Sequence, residues 1–313
     1  MKKIVVGFKD YFYPMDQFFM DILSREYEVE RDDDNPEYLF FCDDTFGRTK
    51  YNYTGNAKKI FFTGENVRPS NCHFAMSFDH STDDRQYRLP LYVLDNWVNE
   101  QLELPYIDNS GRTANFSLKR LCPYNQRNSI SFLVKNSNCD HRNKIFDLIN
   151  NQYAHIDSGG PWKNTVGYQV GTQTDPNYSY IQPWNGKLTK EIHDFQWSKY
   201  EFLRRSKVNL CYENASYPGY VTEKLYHAIV YGTVPAYWGS PTVNLDFNPM
   251  RFLCRHDYYS DAQFAERIMD FLENMQTWID KKEQPVFASE EQLTMSPLNI
   301  DRLLYFFNKA VII

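Results

Sequence analysis

From Lys207 to Gly239 the chain reads KVNLCYENASYPGYVTEKLYHAIVYGTVPAYWG, a run that few folds can accommodate. KVNLCYEN has the apolar and aromatic content of a buried strand, and ASYPG is a turn. Val221, Leu225, Ala228, Ile229 and Gly232 then fall at i, i+4, i+7, i+8 and i+11, the spacing of one helix face packed on a sheet. Gly232 stops the helix, and Thr233-Val234-Pro235 leads into a second strand, VPAYWG. A strand, a crossover helix and a further strand make the repeating unit of a parallel sheet.

The same rhythm runs through the rest of the chain. In the first half KKIVVGF, MDQFFMDILSREY, EYLFFCD, KKIFFTGE and HFAMSFD alternate strand-like and helical or polar patterns. In the second half SISFLVKN precedes HRNKIFDLINNQ, and RFLCRHDY precedes DAQFAERIMDFLENM. At 313 residues the chain exceeds what one hydrophobic core usually supports, so two α/β domains are expected. The stretch from Val98 to Asn128 is polar and irregular, which puts the boundary near residues 110–128. The expected division is residues 1–120, residues 121–290, and a C-terminal helix over 291–313 that docks back on the core.

Composition removes several classes of function. A net charge of −6 argues against general nucleic-acid binding, which needs a basic face. Six scattered cysteines without a CxxC pair read as reduced thiols, not zinc ligands. No stretch is long and apolar enough to span a bilayer, and the N-terminal apolar run is too short for a signal peptide. No GxGxxG follows a strand, which sets aside a dinucleotide oxidoreductase. Aromatic residues at 17% suit ring-shaped ligands such as sugars, and they suit cores equally.

Glu223 and Lys224 open the helix after KVNLCYEN. In open α/β sheets ligands sit beyond the carboxyl ends of the strands, at helix N-termini that favour anions. An ammonium in that first turn opposes the helix dipole by roughly 0.3–1 kcal/mol, so its placement makes sense if an anion arrives nearby. Glu223 agrees with the dipole and can also accept from the vicinal hydroxyls of a ribose. The plainer alternative is a helix-end charge beside a solvated lysine.

YVTEKLYHAIVYGTVPAYWGS resembles the signature segment of the α1,3/α1,4-fucosyltransferases, glycosyltransferase family ten. NLCYEN and SPTVNLDFNPMRFLCRHDY resemble its flanks, and KKIFFTGENVRPSNCHFAMSFDHSTDDRQYRLPLY is similar to the family's N-domain motif. FLVKNSNCDHRNKIFDLINNQYAHIDSGGPWKNTVGY resembles the segment that carries a diphosphate-binding arginine and a glycine pair. The resemblance covers most of residues 58–258. It implies a GT-B type α/β fold, two Rossmann-like domains facing a central cleft. The C-terminal domain would bind GDP-L-fucose and the N-terminal one an oligosaccharide acceptor, in an inverting transfer.

An inverting displacement needs a base for the acceptor hydroxyl, and Glu65 matches the family's position for it. Its alternative is a capping or surface carboxylate. Arg142 and Lys224 match the groups on the diphosphate, Glu223 the ribose contact, and Asn214 and Tyr220 the lining of the nucleotide pocket. Tyr220 also reads as a core-edge aromatic, and Arg142 as a surface cation. Gly159 and Gly160 are candidates for a donor loop or for a turn before Pro161. The family implies fucose transfer to N-acetylglucosamine of a lactosamine unit or to glucose of lactose. Acceptor choice is assigned to N-terminal loops such as DNSGRTANFSLKR. A transferase using another GDP-sugar and a non-catalytic sugar-binding module are the alternatives.

No obligatory cofactor is expected beyond GDP-L-fucose as donor substrate, and no metal site is assigned. The acidic runs Asp32-Asp33-Asp34 and Asp43-Asp44 read as solvated turns. No nucleic acid and no transmembrane segment are expected, peripheral membrane contact stays open, and the absence of targeting signals points to a cytoplasmic enzyme of bacterial or viral type.

Overall fold

The computed structural model describes residues 1–12, 14–42, 55–115 and 122–312. Asp43-Asp44 and residues 116–120 of the DNSGRTANFSLKR loop lie outside the described residues. The chain divides into two compact units. One comprises Met1–Trp97, Pro218–Thr222 and Thr294–Ile313, the other Val98–Tyr217 and Glu223–Leu293.

The first unit is built on β1 (Lys2–Lys9), α1 (Met15–Leu23), β2 (Tyr27–Arg31), β3 (Tyr38–Phe41), β4 (Lys58–Phe62), β5 (Phe74–Ser77) and β6 (Gln86–Arg88), followed by α2 (Leu91–Gln101). Its six strands lie in the order β2-β1-β3-β4-β5-β6, and each adjacent pair is parallel. β3 is buried at every position, as a parallel strand covered on both faces must be. α1 buries Phe18, Phe19, Ile22 and Leu23, and Phe19 packs on Phe40 with ring centroids 4.6 Å apart. The C-terminal helix Ile300–Phe306 also belongs to this unit. Phe307 just beyond it meets Phe19 and Phe40, and Lys58 Nζ donates to the carbonyl of Val311 at 2.9 Å.

The second unit opens with a small antiparallel ladder of β7 (Tyr106–Ile107) and β8 (Thr113–Ala114). Its main elements are β9 (Asn128–Phe132), α3 (Asp140–Gln152), β10 (Ile156–Ser158), α4 (Lys190–Leu203), β11 (Ser206–Tyr212), α5 (Glu223–Val230), β12 (Val234–Trp238), β13 (Leu253–Cys254) and α6 (Asp261–Glu273). The strands lie in the order β10-β9-β11-β12-β13, again parallel. α6 is capped by Ser260, whose Oγ accepts from the Gln263 amide, and buries Phe264, Ala265, Ile268 and Phe271. Each large side chain so buried contributes about 1.5–3 kcal/mol.

Both sheets therefore share one strand order, second-first-third-fourth and onward, which is the doubly wound arrangement. The chain reverses its direction of winding between the first and third strands of each, β1 and β3 in one and β9 and β11 in the other. Such switch points are where ligands settle in folds of this kind. The composition break at residues 110–128 does not coincide with the division at Trp97 and Val98, which falls inside α2. A continuous helix carries no compositional punctuation. α4 was not legible either, because it buries polar as well as apolar side chains and shows no single apolar face.

No disulfide joins the six cysteines. Among the described residues no helix is long and apolar enough to cross a membrane. Asp33 of the first acidic run pairs with Arg31 and accepts from the Phe8 amide at 2.9 Å, and Asp32 closes a turn on the amides of Asp34 and Asn35.

Candidate active site

At the switch point of the second unit, β9 leads into α3 and β11 into Glu213 and Asn214. Arg142, third residue of α3, sends Nη1 to Asn214 Oδ1 at 2.7 Å and Nη2 to the carbonyl of Asn136. Two residues 72 positions apart thus meet at the carboxyl ends of the two strands that flank the reversal. Both of these acceptors are neutral groups, and they orient the guanidinium. Arg142 is only 1% exposed, which sets aside the surface-cation alternative. α3 starts at Cys139 with no side-chain cap, so its first amides are not closed off by that residue.

The start of α5 holds a charged knot. Lys224 Nζ lies 3.1 Å from Glu213 Oε2 and 3.7 Å from Glu223 Oε1, and Lys199 Nζ of α4 lies 3.7 Å from the same Glu223 oxygen. The Glu213 side chain is wholly buried, whereas Lys224 and Glu223 retain 17% and 21% exposure, enough to meet a ligand. Burial pushes the Glu223 carboxyl upward, but the ammonium groups of Lys224 and Lys199 outweigh it and hold the group ionised far into acid. One turn on, His227 is fully buried, and burial together with Lys199 holds it neutral well below the ordinary histidine range. Two lysines and two carboxylates thus face each other at this helix tip.

Glu213, Lys199 and His227 went unassigned in the sequence. Glu213 carried a signal, a carboxylate directly after a buried strand in the NLCYEN triplet. Lys199 carried none, because its partner Glu223 is contributed by another helix. The glycine pair serves packing within the protein. A Cβ on Gly160 would stand 2.0 Å from the carbonyl oxygen of Val134, and one on Gly159 would strike Val170 at 2.5 Å. Trp238 stacks on His141 and Tyr212 at 4.8 and 5.7 Å, consistent with strand packing.

In the first unit Glu65 stands on the loop after β4, half-buried. Its amide donates to Thr63 Oγ1 at 3.1 Å and its carbonyl accepts from the Val67 amide at 2.7 Å, so the backbone there is held on both sides. Tyr220, from the segment Pro218–Thr222, belongs to this unit and not to the one that holds Asn214 and Glu223. It is 1% exposed, its ring lies edge-on to Phe78 at 5.1 Å, and its hydroxyl lies 3.3 Å from Glu65 Oε2. Among the described residues no three His, Cys, Asp or Glu side chains gather in a way that would hold a metal ion.

The arginine at the switch point and the lysine–carboxylate knot on the helix tip belong to the second unit and suit an anionic ligand there. Comparison with known proteins points the same way. Residues 4–95 match the model of the α-(1,3)-fucosyltransferase FucT N-terminal domain, and residues 126–281 that of the glycosyltransferase family 10 (fucosyltransferase) C-terminal domain. The α-(1,3)-fucosyltransferase FucT of Helicobacter pylori is 30% identical over 91% of this chain and 57% of its own length. The α-(1,3)-fucosyltransferase B of Drosophila melanogaster is 26% identical over 75% of this chain and 48% of its own length. The chain therefore spans about half the length of these relatives. Crystal structures of an α1,3-fucosyltransferase with GDP and with GDP-fucose share its fold, each at a TM-score of 0.72 and 24% identity, covering 98% of this chain and 89% and 90% of theirs. With both of its units matched, the chain belongs to glycosyltransferase family 10, the fucosyltransferases.

Proposed function

We propose that the protein is an inverting, GDP-fucose-dependent α1,3-fucosyltransferase, whose acceptor is N-acetylglucosamine of a lactosamine unit or glucose of lactose. The observation that carries this is the meeting of Arg142 and Asn214 at the switch point, beside the helix tip that bears Glu223 and Lys224. Arg142 offers a planar fork to two phosphate oxygens, and Lys224 a compact charge. As the bond from fucose to the diphosphate breaks, negative charge grows on the departing GDP, and these cations stabilise it more than they stabilise the ground state. Glu223, held ionised, accepts from the ribose hydroxyls. Asn214 orients Arg142.

Glu65 is the base. Its carboxylate takes the proton of the acceptor hydroxyl as that oxygen attacks the anomeric carbon opposite the diphosphate, and inversion follows from the single displacement. With cationic side chains on the diphosphate, no divalent metal is assigned a step.

The test is incubation with GDP-fucose and either lactosamine or lactose, with released GDP measured and the product linkage read by NMR. Expected are α1,3-linked product, turnover that persists in EDTA, and loss of transfer in Glu65→Gln with GDP affinity retained. Transfer from GDP-mannose in preference to GDP-fucose would refute the donor. Failure to release GDP across a broad acceptor panel would leave a sugar-binding module.

A further inference from the structure

We infer that Lys199 is a positioning residue for donor recognition: its ammonium holds the Glu223 carboxylate for the ribose, which leaves Lys224 to the diphosphate. The inference rests on the proposed ribose contact of Glu223 and adds the group that keeps that contact in place.

Lys199 stands on α4, and the next residue ties that helix to α5. Tyr200 meets Tyr231 edge-on with ring centroids 5.0 Å apart, and Tyr231 stacks on His227 at 5.0 Å. Lysines are seldom buried unless paired, and Lys199 is 8% exposed. Its Nζ lies 3.7 Å from Glu223 Oε1, and among the described residues no other carboxylate forms an ion pair with it. At that separation the two groups act on each other as charges and not through a direct hydrogen bond. Such attraction falls only with the first power of distance, and it is little screened where water is excluded.

Lys224 lies equally far from the same Glu223 oxygen but nearer, at 3.1 Å, to Glu213 Oε2. Its charge is shared already, and a diphosphate draws on it further. His227 offers no cation in its place, because burial and the Lys199 charge hold it neutral. Lys199 is therefore the ammonium that stays with Glu223 when a donor binds. Both lysines address Oε1, and the Glu223 amide adds a hydrogen bond to its own carboxylate. An ionised carboxylate has about four acceptor directions, so a vicinal diol still finds room on it. A carboxylate fixed before the ligand arrives binds without the cost of being ordered.

Calorimetry of Lys199→Met with GDP and with 2′-deoxy-GDP and 3′-deoxy-GDP tests the assignment. The parent should prefer GDP to each deoxy analogue by about tenfold or more, the worth of a hydrogen bond to a charged group. In Lys199→Met the preference should fall to about twofold, with GDP weakened about fivefold to tenfold and the deoxy analogues within about twofold of the parent. The ratio cancels whatever the lost charge does to the diphosphate, and retained binding of the analogues reports an intact fold. In turnover the KM for GDP-fucose should rise by the same factor with kcat within about twofold, because a ribose contact is made in ground and transition states alike. Lys199→Arg, which keeps a cation on the helix, should retain most of the preference, and Lys199→Gln, which keeps a donor without charge, repeats the comparison should the methionine variant not fold. Glu223→Gln should abolish the preference, and adding Lys199→Met to it should change the ratio little. An unchanged preference in Lys199→Met would overturn the inference, as would equal weakening of GDP and its deoxy analogues, the mark of a diphosphate contact or a purely structural lysine. A preference that survives Glu223→Gln would instead remove the ribose contact itself, a distinct outcome that takes the role of Lys199 with it.

Discussion

The pair of Lys224 and Glu213 allows a quantitative prediction. At 3.1 Å and an effective dielectric constant of 20, the attraction between the two charges is about 5 kcal/mol before desolvation is subtracted. Removing one partner of a fully buried pair costs about 3–5 kcal/mol, and an exposed pair is worth about 0–1. Here the carboxylate is wholly buried and the ammonium 17% exposed, which places Lys224→Met at about 2–4 kcal/mol of destabilisation. Glu213→Gln should cost less, about 1–2 kcal/mol, because the amide oxygen still accepts from Lys224 and Glu223 remains 3.7 Å away. The double variant buries no unpaired charge. Its destabilisation should be about 2–3 kcal/mol smaller than the sum of the single effects. Urea unfolding of the four proteins, followed by tryptophan fluorescence, measures that cycle. Additivity within about 0.5 kcal/mol would refute the view that Glu213 holds Lys224 at the helix tip.

Further outcomes follow from other contacts. Arg142→Lys keeps the charge but loses the fork that Asn214 orients, and should weaken GDP binding about tenfold to a hundredfold by calorimetry; an unchanged affinity would remove Arg142 from the diphosphate. His227 is held neutral in the native protein, so below its ordinary value of 6.5 the unfolded chain binds the extra proton. Stability should then fall on acidification from pH 7 towards pH 5, by up to about 1.4 kcal/mol per unit from this group, and His227→Gln should flatten the slope of urea stability against pH. Equal slopes in the two proteins would contradict the assignment. Gly219→Ala forces a side chain into a left-handed backbone against the Phe78 carbonyl, and should destabilise by about 2–4 kcal/mol in thermal melts.

Much of the architecture was legible in the chain. Buried parallel strands such as KVNLCYEN and EYLFFCD declare themselves as apolar runs, because both faces are covered and no alternation is needed. α5 was read with its start and its stop, since its apolar spacing and Gly232 are local properties. The short strand β10 escaped because three residues carry no period, whereas β13 lies within RFLCRHDY, which the rhythm of the chain marks. The glycine pair reads in the sequence as a donor loop or a turn before Pro161, and its close neighbours include Val134 and Val170, groups that no spacing in the sequence brings near it.

The sequence by itself determined the βα units of the two parallel sheets, the helix tip bearing Glu223 and Lys224, and the motifs that carry the family, since all of these are written within a few dozen consecutive residues. Tertiary structure alone decided which distant groups meet: Arg142 with Asn214, Lys199 with Glu223, and Tyr220 with Glu65 across 155 positions. Hydrophobic pattern sets which face of an element turns inward. The partner a polar atom finds there depends on how the loops at the strand ends close over one another.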